Sequence, residues 1–195
     1  MRGCLVGSEM CIRDRSNDIE KHPDFIKIEK FAFEKFGLAA MSHRHGVFGM
    51  QQPLPPIVKY GLTFLFVQSE FGLCCPLSMT DSLTRTLTKF GDKKLIDKFF
   101  DQLTSQDLDH LFQGAMFMTE QHAGSDVGSI DTYAEYEDGN WFLTGDKWFC
   151  SNPDADLAMV LARHNKTISG TKGLALFLLP KKLENGDPNN YEIIR

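Results

Sequence analysis

The hydrophobic period of this chain changes once, near Gln113, from helical spacing to alternation, and this change constrains the fold more than any other feature. Over residues 24–111 apolar side chains recur three and four positions apart. Phe25, Ile28 and Phe36 mark one helical face, Leu77, Leu83, Leu87 and Phe90 a second, and Leu95, Ile96, Phe99, Phe100 and Leu103 a third. Gly72 and Gly91 stand where helices should stop, Pro76 suits a first turn, and Asp92 suits an N-cap. After Gln113, Thr132, Ala134 and Tyr136 alternate with polar neighbours, and residues 157–161 and 174–179 are short apolar runs between Gly- or Pro-marked breaks. Residues 141–143 and 148–150 flank Gly145-Asp146 and read as a hairpin, while residues 185–190 read as a surface turn. A helical unit followed by an antiparallel sheet predicts an α+β protein rather than the strand–helix alternation of a Rossmann fold. A dinucleotide, if bound, is therefore not held by the usual glycine fingerprint.

Charge and cysteine usage narrow the partners. The formal net charge of -5 gives no overall basic field for phosphate backbones or anionic membranes. The apolar run at residues 62–67 is far shorter than the roughly 20 residues needed to span a bilayer, and reads as core. Five cysteines without metal-ligand spacing, two of them the adjacent Cys74 and Cys75, predict a reducing, cytoplasmic setting. Residues 1–15 fail as a secretory signal, and Met10-Cys11-Ile12-Arg13-Asp14 is similar to the translation of a transposase-adapter sequence from DNA library preparation. That segment is expected to be non-native, and residues 192–195, mid-strand by pattern, are expected to mark a second cut.

Between the two halves lies Phe117-Met118-Thr119-Glu120-Gln121-His122-Ala123-Gly124-Ser125-Asp126-Val127. A strand running into a turn with a glycine and hydroxyls can hold an anion or a polar ring edge with its N–H groups and side chains. The same spacing fits a plain turn in which Ser125 or Asp126 caps the backbone. His122 invites a reading as a proton carrier, although a lone histidine in a turn is more often solvated. Trp148, beyond Gly145-Asp146-Lys147, offers a flat apolar wall of the kind an isoalloxazine ring needs, or simply core.

Taken together and in order, residues 118–120, 124–127, 145–149, 155–156, 160–163 and 170–177 resemble the middle β domain of the acyl-CoA dehydrogenase family. Leu73-Cys74-Cys75-Pro76-Leu77-Ser78-Met79-Thr80, with Thr119-Glu120-Gln121-His122 in place of the more usual Thr-Glu-Pro, is similar to its AidB-like branch. The resemblance implies an all-helical N-terminal domain over residues 16–113 and an antiparallel, β-barrel-like middle domain over residues 114–195. It also implies that the C-terminal helical bundle of the family, which carries its glutamate base, is to be expected outside this chain. It implies FAD as cofactor, with Thr119 on the polar edge of the flavin and Phe117 and Met118 lining the same strand. Gly124 and Ser125 stand in the adjoining turn, Ser125 also beside the acyl-CoA path, and Trp148, Phe149, Cys150 and Ser151 run along the ring system. Gln121 makes the turn less rigid than a proline would.

The activity so implied is α,β-dehydrogenation of an acyl-CoA thioester, with an electron-transfer acceptor and a homo-oligomer, tetramer or dimer, as partners of the intact protein. Glu120 is not assigned as the base, since its place in the motif is structural, and the chain is expected to be inactive alone. Two competing readings remain: an AidB-like alkylation-response flavoprotein associating with DNA through a basic surface outside this chain, and a structural module without flavin.

Overall fold

A computed structural model describes residues 19–194. The adapter-like segment, with Cys4 and Cys11, lies outside the described residues. Helix α1 (Pro23–Lys30) opens on His22, whose Nδ1 accepts the Asp24 N–H, and runs directly into a π-helical turn, Phe31–Lys35. Helices α2 (Pro56–Val67), α3 (Cys74–Phe90) and α4 (Lys93–Leu103) follow. Pro76 falls in the first turn of α3, where its missing N–H leaves no intrahelical bond unmade, and Gly91 ends that helix. Asp92 caps α4 by accepting the Leu95 N–H at 2.8 Å.

The strands are β1 (Gly114–Phe117), β2 (Tyr133–Glu137), β3 (Asn140–Thr144), β4 (Leu157–Arg163) and β5 (Leu174–Pro180), joined in one sheet. β4 is its axis. β5 pairs antiparallel with all seven β4 residues and so fills one edge, which leaves the other edge to be shared by β1 and β2. β1 runs parallel to the first four residues, Gly114 facing Leu157 through Phe117 facing Val160. β2 reaches the far end, Tyr133 facing Arg163.

The α+β reading holds, and the sheet is mixed rather than antiparallel throughout. Antiparallel pairing was read from local turns, and only β2–β3 is joined by a tight one. The β1–β4 pairing is parallel because the whole β2–β3 hairpin is inserted between the two strands. The hairpin turn is Asp138-Gly139, with φ of 48° and 84°, not Gly145-Asp146. Gly145-Asp146 instead ends β3, and residues 148–150 are irregular chain rather than a second strand. Residues 192–194 likewise carry no strand.

Leu83, Leu87, Phe99 and Leu103 from α3 and α4 pack against Leu157 and Met159 of β4, so helices and sheet share a core. Two expectations fail on burial. Residues 62–67 are not wholly core: α2 is apolar on every side, only one stripe can face inward, and Phe64 and Leu65 are left 65% and 62% exposed. Phe90, the last residue of α3, extends beyond the face it was expected to continue and is exposed, as is Phe36. No helix among the described residues is long and apolar enough to cross a membrane.

Candidate functional site

The site grows out of the C-terminal end of β1. Phe117 is buried against Ala155, Ala158 and Val160, which anchors the strand and leaves only its backbone to any ligand. The chain continues through Met118 and Thr119 to Glu120, where a tight turn forms: Glu120 and Ala123 exchange both N–H···O=C bonds at 3.1 Å. Gly124, Ser125 and Asp126 follow on the surface. Asp126 accepts the Gly128 N–H at 2.9 Å, so it is Asp126 and not Ser125 that caps the next turn.

The loop after β3 closes onto this turn. Trp148 N–H donates to the Thr119 carbonyl at 2.8 Å, while Lys147 Nζ donates to the Met118 carbonyl at 3.0 Å and to Glu120 Oε1 at 2.8 Å. Asn152 ties the far end of the loop to Gly114 and Gln113 at 3.2 Å. Between these anchors Trp148 is 46% exposed and Phe149, held at φ 55°, is 86% exposed. A bulky residue in the left-handed region is strained and persists only where its surroundings dictate it, a pattern concentrated at ligand clamps. The two rings stand edge to face with centroids 6.3 Å apart. Cys150 packs on the cluster that holds Phe117, and burial pushes its thiol above the ordinary range despite the nearby Lys147 ammonium, so it contributes contact rather than a thiolate.

Thr119, Gly124 and Trp148 are therefore brought together, a Cβ on Gly124 standing 3.6 Å from Thr119 Cγ2. Met118 joins them through its carbonyl. Ser125 is placed on the exposed turn, and Ser151 lies on a separate flank, beside Cys75 and Pro76 of α3, where a cavity of about 370 Å³ separates the loop from the start of that helix. Among the described residues the hydroxyls of Thr119, Ser125 and Ser151 make no hydrogen bond to protein. An unpartnered Thr119 hydroxyl next to the exposed faces of Trp148 and Phe149 suits the polar edge and flat body of a flavin, whereas Ser125 and Ser151 stand apart from that junction.

Glu120 is not poised as a base. Burial by itself would raise its pKa, but Lys147, the Thr132 hydroxyl and the backbone N–H groups of Asp131 and Thr132 all donate to it and bring it down to about 2. A carboxylate so satisfied neither accepts a proton near neutrality nor reaches a ligand. Glu120, His122 and Asp131 bring ligand atoms within 4.8 Å of one another, but Glu120 is committed to those donors, and His122 is solvated, 3.2 Å from an exposed Asp131 carboxylate. Lys147 and Thr132, which hold Glu120, received no assignment from sequence; the only signal was the Lys preceding Trp148 in the motif.

Comparison with known proteins places these features among others. Residues 115–190 match the acyl-CoA dehydrogenase middle domain, and residues 14–110 match the adaptive response protein AidB N-terminal domain. The chain is 40% identical over 160 residues to acyl-CoA dehydrogenase family member 11 of Caenorhabditis elegans, covering 75% of this chain and 26% of that protein. It is 35% identical over 140 residues to the putative acyl-CoA dehydrogenase AidB of Escherichia coli (strain K12), covering 67% and 25%. The crystal structure of Caenorhabditis elegans ACDH-11 in complex with C11-CoA superposes with a TM-score of 0.76 at 31% identity, over 93% of this chain and 31% of that one. The chain thus spans about a quarter of the length of these curated relatives.

Proposed function

Since this chain belongs to the acyl-CoA dehydrogenase family, in its AidB-like branch, we propose that it supplies the flavin-binding wall of an FAD-dependent enzyme that dehydrogenates acyl-CoA thioesters. The observation that carries this reading is the junction of Thr119 with Trp148, which sets the unpartnered Thr119 hydroxyl beside exposed aromatic faces. Thr119 would hold the polar edge of the ring system with its hydroxyl and backbone, Met118 and Gly124 would let the backbone approach, and Ser151 would extend the Trp148 segment along the ring system through its backbone groups. Trp148 and Phe149 would cover the ring and exclude water, with Cys150 packed behind them and Phe117 fixing the strand through its buried ring. Ser125, on the exposed turn, would contact both cofactor and thioester substrate. FAD, when bound, supplies the two-electron acceptor for the β-hydrogen of the thioester.

We assign the proton acceptor to the C-terminal helical bundle of the family rather than to Glu120, whose carboxylate is satisfied and strongly acidic. An acyl-CoA and an electron-transfer acceptor are the partners this chemistry needs. The exposed apolar side of α2 supports burial in a larger assembly, and the free thiols of Cys74, Cys75 and Cys150 support a reducing compartment such as the cytoplasm.

The test is to produce the protein over its whole reading frame and titrate it anaerobically with acyl-CoAs. Bound flavin whose absorbance bleaches on addition of an acyl-CoA is the expected result. Protein that stays colourless with added FAD would sink the reading. Bound flavin that no acyl-CoA reduces would leave the cofactor and remove the dehydrogenase activity.

A further inference from the structure

Lys147 and Glu120 form an ion pair whose side chains are 8% and 4% exposed, where three segments meet. Glu120 closes the turn after β1, Asp131 and Thr132 lead into β2, and Lys147 follows β3; the Glu120 carboxylate and the Lys147 ammonium link all of them. The ammonium has a second acceptor, the Met118 carbonyl. Met118 precedes Thr119, and Lys147 precedes Trp148, so the bonds Lys147 Nζ to Met118 O and Trp148 N to Thr119 O are consecutive clamps between the same two segments. One clamp alone would let the segments pivot about it. Two fix both their separation and their twist.

A buried ion pair is a poor source of stability, because the desolvation of both charges offsets their attraction. Burial depresses Lys147 in the same way, even against the attraction of Glu120. Its geometric effect is more specific: it sets where the Thr119 hydroxyl lies relative to the Trp148–Ser151 loop.

We propose that Lys147 is a positioning residue for the flavin wall, acting through the Met118 carbonyl and Glu120 to hold Thr119 in register with Trp148. The proposal rests on the reading that this wall holds FAD. It assigns Lys147 no contact with cofactor or substrate.

The test uses the protein over its whole reading frame. A Lys147→Met/Glu120→Gln double variant removes the ammonium clamp without stranding a buried charge, and the glutamine oxygen can still accept from the Thr132 N–H and hydroxyl, while the Asp131 N–H loses its carboxylate acceptor. Far-UV circular dichroism and the melting curve report the fold. FAD affinity and the visible circular dichroism of the bound flavin report the register. The expected result is a fold that is kept, FAD affinity lowered about tenfold or more, and altered visible dichroism. Should the double variant not fold, Lys147→Arg serves instead: its planar fork keeps the charge but cannot reproduce both bonds in place, and a few-fold weaker FAD affinity with altered dichroism is expected. Wild-type affinity and dichroism in the folded variant overturn the positioning role while leaving the flavin reading intact. Failure of the wild-type protein to take up FAD overturns both.

Discussion

The Thr80 hydroxyl accepts the Gly114 N–H at 2.9 Å while donating to the Pro76 carbonyl at 2.7 Å, so one buried side chain of α3 satisfies the first N–H of β1. That N–H starts the strand that leads into the candidate site. Replacing the hydroxyl with a methyl leaves it buried and unbonded. Thr80→Val is expected to destabilise the fold by about 1–3 kcal/mol, with Thr80→Ser costing under about 1 kcal/mol, read as shifts in the urea midpoint. Equal shifts for the two variants would show that packing, not the hydrogen bond, makes this joint.

Gly145 is fixed by its neighbour as well as its backbone. Its φ of 149° is open to glycine, and an added Cβ would lie 2.4 Å from Thr132 Oγ1 and 2.7 Å from Thr132 Cα. Thr132 cannot retreat without releasing Glu120. Gly145→Ala is expected to destabilise by about 2–4 kcal/mol and to loosen the Lys147–Trp148 segment. A melting temperature within about 2 °C of wild type would contradict this.

How much of this is legible in the sequence depends on the range of the interactions involved. Helices α3 and α4 were visible because each carries its own evidence: Leu83 and Leu87 at helical spacing, Gly91 as a stop, Asp92 as a cap. The Asp138-Gly139 turn is equally local, but Gly145-Asp146 is flanked by two aromatic apolar runs in the same pattern, and spacing alone does not say which glycine turns the hairpin. The parallel pairing of β1 with β4 had no local signal, since Gly114 and Leu157 are far apart in sequence. The exposed apolar surface of α2 has no local signal either, because hydrophobicity along residues 62–67 says nothing about how many sides the fold can cover. At the site, the motif residues were recognisable by resemblance, but the work of Lys147 and Thr132 depends on three segments meeting and has no signature in spacing.

Acid should weaken the fold through Glu120. Its ordinary pKa of 4.5 is lowered to about 2 in the folded state, so the folded chain holds the proton less tightly than the unfolded one. The resulting stability is fully present above about pH 4.5 and is lost as pH falls toward 2. A shift of that size corresponds to about 3 kcal/mol. Urea midpoints measured between pH 5 and pH 2.5 should fall more steeply in wild type than in Glu120→Gln, which has no carboxyl to titrate. Parallel slopes would show that the carboxylate is not bonded as described.

The helical half holds a second buried charge cluster, and its worth can be separated from that of the first. Asp81, on α3, accepts from His43 Nε2 at 2.8 Å through one oxygen and from Lys59 Nζ through the other; all three side chains are buried. Burial alone would raise the Asp81 carboxyl, yet His43 and Lys59 together hold it below the ordinary range. Lys59 also places its ammonium 4.2 Å from the Tyr60 ring centroid, so it is the main polar tie of the otherwise apolar α2. Removing only Lys59 strands a buried carboxylate, which is far worse than removing the pair. Lys59→Met is therefore expected to destabilise by about 3–5 kcal/mol, and Lys59→Met/Asp81→Leu by clearly less than the single change. The double-mutant cycle should return a coupling of about 1–3 kcal/mol. A single variant within about 0.5 kcal/mol of wild type would mean that α2 is held by its apolar stripe alone and that the cluster adds nothing to its anchoring.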